Sequence, residues 1–234
     1  MSSGIVEILA RQESRNALLC HPFFQHVRDT AITRADAGTF LGQWWHPLHY
    51  FPVFLARTIS VLPRQDTKTE VSKILYQELG EGNPQLAHER VFVDTMTAVG
   101  FTESALTETA PLPETRKLLE GYAQASAQPM EALGFLYGTE VADLTMVSGI
   151  GHAVRKTTGA DALPWVDIHI CQEPEHVVRA NAAVTATFAP AQMDEIIRNA
   201  EKMWKLWVGF FDRLQSELTY RPAQEVPSLR ATAL

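Results

Sequence analysis

The chain has 234 residues, 46% of them hydrophobic and 20% charged, which is enough to bury one sizeable core in a single domain. Its net charge is −7, and its basic residues form no run that could neutralise a phosphate backbone. No segment reaches the roughly 18 apolar residues that span a bilayer, and no signal peptide is evident. The two cysteines, Cys20 and Cys171, form no CxxC pair, which excludes a disulfide framework and a cysteine zinc site. We therefore expect a cytoplasmic protein that binds neither nucleic acid nor membranes.

Hydrophobic residues recur with the helical period along nearly the whole chain, and Gly and Pro fall mainly between the periodic stretches. This pattern predicts an all-α fold, a single-domain bundle of seven to eight helices. We assign residues 1–218 to the helical domain and expect residues 219–234 to form a flexible tail. The predicted helical segments are 4–19, a short stretch after Pro22, 33–63, 67–80, 85–99, 114–125, 129–156, 163–187 and 190–218.

Two of these helices begin at a sequence typical of a capping box. The Thr33-x-x-Asp36 spacing predicts a helix start at Thr33, and Thr67-x-x-Glu70 predicts another at Thr67.

One helix carries a row of groups that bind metals. His169, Glu173 and His176 lie within an arc of about 60° when each residue turns the helix by 100°. Burying two imidazoles and a carboxylate together is costly unless one partner satisfies all three, as a divalent metal does. The alternative is an exposed polar face, and the spacing alone leaves both interpretations open.

Two further stretches offer similar groups. Glu78 and Glu81 precede His88, and a lone histidine in such a setting is more often one satisfied in the core than a metal ligand. Glu140 lies on an apolar helical stripe, where a carboxylate needs either a metal or a basic residue from another helix. Together the three stretches offer about three histidines and three carboxylates, which exceeds the needs of one structural zinc and is close to a di-iron carboxylate set.

The order of these motifs, Glu-Leu-Gly-Glu-Gly…His, Leu-Tyr-x-x-Glu and His-x3-carboxylate-x2-His, resembles the haem-oxygenase-like di-iron oxidases. That family shares its fold with thiaminase-like and PqqC-like proteins, and the resemblance extends from about residue 22 to residue 218. It implies two Fe²⁺ ions, O2 as co-substrate, and Glu140 as the catalytic bridge between the irons. Because of the Glu-Leu-Gly pattern it favours Glu78 over Glu81 as the first ligand. The implied metal ligands are Glu78, His88, Glu140, His169, Glu173 and His176.

The chain departs from the family at Glu173, where the family usually has Asp. Pro174 follows directly, and a proline removes one helix hydrogen bond and disfavours the helical conformation of the residue before it. We therefore expect a kink between His169 and His176.

The resemblance implies oxidation of a small substrate that carries a carboxylate, and an amino acid or derivative is favoured over a fatty acid. The reaction would be N-oxygenation, desaturation or oxidative C–C or C–N cleavage, with an external electron donor and a homodimeric protein. Two other functions stay open: a metal-independent thiaminase-like hydrolase or PqqC-like cofactorless oxidase, and a non-enzymatic helical binding protein. Five aromatic or polar residues are candidates to bind the substrate: Trp44, His49, Tyr50, Tyr137 and Trp165.

Overall fold

The computed structural model describes residues 3–219 of the chain. Within this range every regular element is helical and there is no strand, which confirms the all-α prediction. A 3₁₀ turn over Pro84–Leu86 precedes α6. The α-helices are α1 (Ser3–Ala10), α2 (Glu13–Leu19), α3 (Pro22–Asp29), α4 (Arg34–Val61), α5 (Gln65–Glu78), α6 (His88–Ala98), α7 (Glu103–Thr107), α8 (Pro113–Ala125), α9 (Pro129–Thr158), α10 (Pro164–Val184) and α11 (Pro190–Thr219).

The long periodic segments correspond to the long helices, and the differences concern short elements. The segment predicted as one helix over 4–19 is divided, because α1 ends at Ala10 and α2 begins only at Glu13. The connector before α8 contains the additional short helix α7, whose first turn is capped by the hydroxyl of Thr102. Of the predicted tail, Thr219 ends α11 and the remainder lies outside the described residues.

The two predicted capping boxes have different outcomes. At Thr33 the prediction is confirmed: its hydroxyl accepts from the Asp36 amide at 3.2 Å, and the Asp36 carboxylate accepts from the Thr33 amide at 2.7 Å. At Thr67 it is wrong, because α5 already begins at Gln65. The Thr67 hydroxyl instead donates to the carbonyl of Arg64, the residue before the helix, so it caps nothing.

Helix α9 is the central element and packs against α11, α10 and α4. Its contact with α11 is a close backbone approach, because a Cβ at Gly134 would lie 2.5 Å from the carbonyl oxygen of Ile196. Further along the same contact, the indole of Trp204 donates to the carbonyl of Gly138 at 2.9 Å. The small residues of α9 therefore let α11 approach closely on one side while α10 packs on another.

Helix α10 continues from Pro164 to Val184 with Pro174 inside it. Pro174 does not interrupt the helix, and Glu173 is buried rather than displaced to the surface. The packing of α10 against α9 and α5 holds the helix together across the missing hydrogen bond. None of the described helices combines the length and the apolar character needed to cross a membrane.

Replacing Gly134 by Ala is expected to lower the free energy of unfolding by about 1–3 kcal/mol, because the new methyl group meets backbone atoms of α11 that cannot move cheaply. The matched control is Gly209→Ala, whose new Cβ would meet nothing within 4 Å. That variant is expected to gain about 0.5–1 kcal/mol from helix propensity alone. Denaturant unfolding measures both, and equal effects of the two substitutions would contradict the close α9–α11 contact.

Candidate metal centre

Six ionisable side chains from four helices converge in the centre of the bundle. Each of them is at most 5% exposed, so the groups on α10 do not form an exposed polar face. They are the residues that the sequence motifs single out: Glu78, His88, Glu140, His169, Glu173 and His176. Glu78 lies on α5, His88 on α6 and Glu140 on α9, and the other three lie on α10.

Three of these groups form a compact set between α9 and α10. The Nδ1 atom of His176 lies 3.3 Å from Glu140 Oε2 and 3.7 Å from Glu173 Oε2. One ligand atom from each of the three residues lies within 4.8 Å of the other two, a spacing at which a single metal ion can contact all of them. The local helix geometry explains the arrangement, since Glu173 and His176 are one turn apart on α10.

Glu78 and His88 lie on either side of the turn between α5 and α6. His88 Nδ1 lies 3.0 Å from Glu78 Oε2, and the second oxygen, Oε1, lies 3.8 Å from His176 Nδ1. Glu78 therefore connects His88 to the group between α9 and α10.

The turn itself decides which glutamate reaches this position. Gly80 has a φ of 79° there, and Glu81 has the left-handed φ of 54°. A Cβ at Gly80 would lie 2.2 Å from the carbonyl of Asn83, so the chain reverses tightly over a residue that must be glycine. As a result Glu81 is exposed, and the structure places Glu78 and not Glu81 beside His88.

Hydrogen bonds to one ring nitrogen orient two of the histidines. His169 Nδ1 donates to the carbonyl of Trp165 at 2.7 Å, which leaves Nε2 as the nitrogen with a free lone pair. His88 Nε2 donates to the side-chain oxygen of Gln172 at 2.8 Å, which leaves Nδ1 facing Glu78. Two acceptors 3.0 Å apart repel each other unless a cation, either a proton or a metal ion, lies between them.

The pKa values show how strongly the groups act on one another. Burial alone would raise the pKa of Glu78, but the neighbouring His88 and His176 outweigh it and lower that pKa to about 2. Burial would lower the pKa of His176, yet the carboxylates of Glu140 and Glu78 raise it to about 9. For His169 burial dominates, and the nearby His88 adds to it, so the pKa falls to about 3. His169 is therefore neutral, as a metal-binding imidazole must be.

Asp143 is a seventh member of the cluster that the sequence motifs did not identify. It follows Glu140 by three residues on α9, and its carboxyl group lies close to that of Glu173. Burial, together with the charges of Glu140 and Glu78, raises the pKa of Asp143 to about 7. Burial and the same carboxylates also raise the pKa of Glu173. The i, i+3 spacing from Glu140 was the available signal, because it places both residues on one face of the helix.

Several ligand atoms of the cluster have no hydrogen-bond partner among the described residues, although nearly all buried polar atoms in proteins are paired. No Lys or Arg of residues 3–219 forms an ion pair with Glu140, so a basic residue from another helix is not its counter-charge. Carboxylate oxygens and imidazole nitrogens are suitable donors for iron, and these residues fit a metal site. The unpaired atoms are His88 Nδ1, His176 Nε2, Glu140 Oε1, Asp143 Oδ2 and Glu173 Oε1.

A small cavity with aromatic walls adjoins the cluster. Trp44, Phe51 and Trp207 line it on one side, and Glu140 and Glu173 are among the carboxylates on the other. Its volume is about 30 Å³, which is room for one or two water-sized molecules. The cavity can hold O2 but not an amino acid.

Of the five residues expected to bind substrate, the structure brings only Trp44 to this cavity. His49 has a 62% exposed side chain paired with Glu89 at 2.8 Å. The Tyr50 hydroxyl accepts from Arg57 at 3.1 Å. The remaining two are buried in the packing, where Tyr137 contacts the ring of Trp204 and Trp165 contacts the ring of His169.

Buried carboxylates and imidazoles in a haem-oxygenase-like helical bundle define the class of this protein. A family model described as iron-containing redox enzyme matches residues 38–208. The chain belongs to this family of iron-containing redox enzymes. A comparison with curated proteins finds no match.

Solved structures share the fold over nearly the whole chain. A CADD-like protein of unknown function from Nostoc punctiforme has a TM-score of 0.78 and 17% identity, over 93% of this chain and 96% of that one. A domain of unknown function with a heme oxygenase-like fold from Shewanella denitrificans has a TM-score of 0.71 and 17% identity, over 92% of each chain. A TenA homolog from Pseudomonas syringae has a TM-score of 0.70 and 16% identity, also over 92% of each. At these identities the likeness shows the fold alone.

In the metal-free protein, Asp143→Asn is expected to raise the free energy of unfolding at pH 8 by about 1 kcal/mol or more, because it removes one of several crowded negative charges. The pKa of Asp143 rises from 3.8 to about 7 on folding, so the wild-type carboxyl destabilises the fold increasingly as pH rises through that window. The gain should therefore shrink at pH 5, where the folded carboxyl is protonated.

The control for this experiment is Glu81→Gln, which removes an exposed carboxylate and should change stability by less than about 0.5 kcal/mol at either pH. Chemical denaturation of chelator-treated protein measures the stability of both variants at pH 8 and at pH 5. Loss of stability in Asp143→Asn at pH 8 would show that this carboxylate has a compensating partner.

Proposed function

We propose that the protein is a non-haem di-iron oxidase or oxygenase that uses O2 to oxidise a small carboxylate-bearing substrate, with an amino acid or derivative as the favoured class. The observation that carries this proposal is the buried cluster itself. Four carboxylates from Glu78, Glu140, Asp143 and Glu173 lie together without any Lys or Arg paired to them in the described part of the chain. Two divalent ions would supply the four positive charges that match them.

In this proposal Glu140 would be a ligand of both irons. It lies on the central helix, and His176 and Glu173 flank it from α10. The remaining ligands are Glu78, His88 and His169. Asp143 lies beside Glu173 and would add a seventh ionisable group to the six that the sequence motifs contain.

Two ferrous ions, when bound, supply electrons that O2 needs in order to react with a C–H or N–H bond. The protein's own residues do the rest. The carbonyl of Trp165 and the side chain of Gln172 fix the ring orientations of His169 and His88. Trp44 and Trp207 form one wall of the adjoining cavity and limit its size. Because O2 reduction consumes electrons, the proposal includes an external electron donor.

The positions of the cysteines favour the oxidase over a thiaminase-like hydrolase. A hydrolase of that kind would want a cysteine nucleophile facing the cluster, but Cys171 is exposed and lines no opening to it, and Cys20 is exposed and lines only the wide cleft between α2–α3 and α9–α10, not the aromatic cavity. Burial of the cluster likewise favours an enzyme over a non-enzymatic binding protein, since a partner helix could not touch these groups.

Anaerobic titration with Fe²⁺ is expected to reach about two irons per chain, because the ligand set is too large for one ion. Iron bound after removal of excess metal is counted by elemental analysis. Saturation at one iron or fewer would contradict the di-iron proposal.

Glu78→Gln is expected to weaken iron binding by at least about tenfold, since it replaces a charged ligand at the centre of the cluster by a neutral amide. Glu81→Gln is the matched control, because Glu81 carries the same group three residues later and is exposed. Its iron affinity should equal that of the wild type. Competition with a coloured Fe²⁺ chelator measures both variants, and the reverse order of effects would assign the ligand to Glu81.

A further inference from the structure

A second opening reaches the cluster, and it is far wider than the aromatic cavity. It is a cleft between α2–α3 on one side and α9–α10 on the other, with a volume of about 810 Å³. Glu140 and Glu173 line both the cleft and the aromatic cavity, so these two carboxylates lie between them. A volume of this size is within the range of small-molecule sites, whereas the cavity of about 30 Å³ is not. The cleft is therefore the only one of the two that admits a substrate.

The cleft follows α9 from the cluster to the end of the helix. Its lining residues Glu140 and His152 are twelve positions apart, which corresponds to about 18 Å along a helix. At the far end, Lys156 donates to the carbonyls of Val27 and Thr30 at 3.1 and 2.9 Å, which places the end of α3 beside the last turn of α9. Arg28 lies in the last turn of α3 and therefore at the outer end of the cleft.

Arg15, in contrast, lies at the cluster end. Helix α3 lies beside the C-terminal half of α9, because a Cβ at Gly149 would lie 2.8 Å from the ring of Phe24 and the end of α3 lies beside Lys156. Helix α2 precedes α3 and also packs against α9, so Arg15 lines the cleft toward Glu140. Arg15 is half-buried, and its one hydrogen bond is a long contact of 3.5 Å to the carbonyl of Ala10.

The charge of the cleft is unusual for a chain with a net charge of −7. Arg15, Arg28 and His152 line it, and no acidic residue lines it apart from Glu140 and Glu173 of the cluster. Within residues 3–219 neither arginine forms an ion pair with a carboxylate. Guanidinium groups without a partner, facing a cleft, fit a ligand that brings its own negative charge.

The walls between the charged ends are partly apolar. Leu19 and Phe24 face the cleft from α2 and α3, and Val141, Leu144 and Val177 face it from α9 and α10. A ligand that matches this surface has an apolar portion together with an anionic group.

We propose that this cleft is the substrate site and that Arg15 pairs with the carboxylate of the substrate, while O2 occupies the aromatic cavity on the other side of Glu140 and Glu173. That the bound molecule is a substrate rests on the proposed function, but the binding of a carboxylate to Arg15 can be tested without it. When the substrate carboxylate is bound at Arg15, the substrate atoms next to that carboxylate are the ones nearest to the cluster. The apolar portion extends along α9 toward Arg28.

The test uses hexanoate and its neutral counterpart hexanamide, titrated calorimetrically into the full chain, both metal-free and after anaerobic loading with Fe²⁺. Wild-type protein is expected to bind hexanoate at least about tenfold more tightly than hexanamide. Arg15→Gln should abolish that preference by weakening hexanoate binding alone, and Arg15→Lys should restore part of it. Arg198→Gln is the charge-matched control, because Arg198 is exposed on α11 and does not line the cleft.

A second variant tests the location independently of charge. Ser148 is exposed on α9 and lines the middle of the cleft, so Ser148→Trp should fill it without disturbing the core. It is expected to weaken binding of hexanoate and hexanamide alike. Hexanoate binding no tighter than that of hexanamide, or a preference that survives Arg15→Gln, would overturn the assignment. If two irons bind but the preference for hexanoate survives Arg15→Gln, only the cleft assignment is overturned. If no iron binds but the preference depends on Arg15, only the di-iron proposal is overturned.

Discussion

Three buried carboxylates and a fourth that is partly buried, placed together beside three imidazoles, are the constraint on which the rest of this structure depends. Moving a carboxylate out of water is costly, and placing several together adds mutual repulsion. Because no Lys or Arg is paired with Glu140 in the described part of the chain, the compensating charge must come from protons or from metal ions. Without metal the protons are shared: the pKa values of Glu173, Asp143 and His176 all rise, while that of Glu78 falls. The site is thus prepared for cations and is strained without them.

The surrounding helices supply rigidity to this strained centre. Gly134 lets α11 approach the central helix closely, and the Trp204 indole is tied to the backbone of that helix. On α10, packing from two sides keeps the helix continuous across Pro174, so that its three ionisable groups still face inward. The fold is shared with proteins described as CADD-like and as TenA homologs, so it is the set of inward-facing groups that distinguishes one chemistry from another.

The two openings at the cluster have complementary properties. The aromatic cavity is small, with indole and phenyl rings on one side and the carboxylates of the cluster on the other. The cleft is wide, partly apolar and basic away from the cluster, which suits an anionic organic molecule. Because Glu140 and Glu173 line both, a reaction between a molecule in the cavity and one in the cleft would take place where the proposed metal ligands lie. Separate access also lets one reactant bind without blocking the other.

Features that depend on short spacings could be predicted from the sequence. The helical period established the all-α class, Thr33 and Asp36 marked a helix start, and the spacing of His169, Glu173 and His176 placed them on one face, because a helix fixes directions within a few residues. Features that depend on contacts between helices could not be predicted in this way: that Asp143 joins the cluster, that His49 points to solvent, and that Arg15 lines a cleft that reaches the cluster. A left-handed turn also put Glu78 rather than Glu81 beside His88. These outcomes follow from how separate helices pack and how the chain reverses between them, and periodicity within one helix does not contain that information.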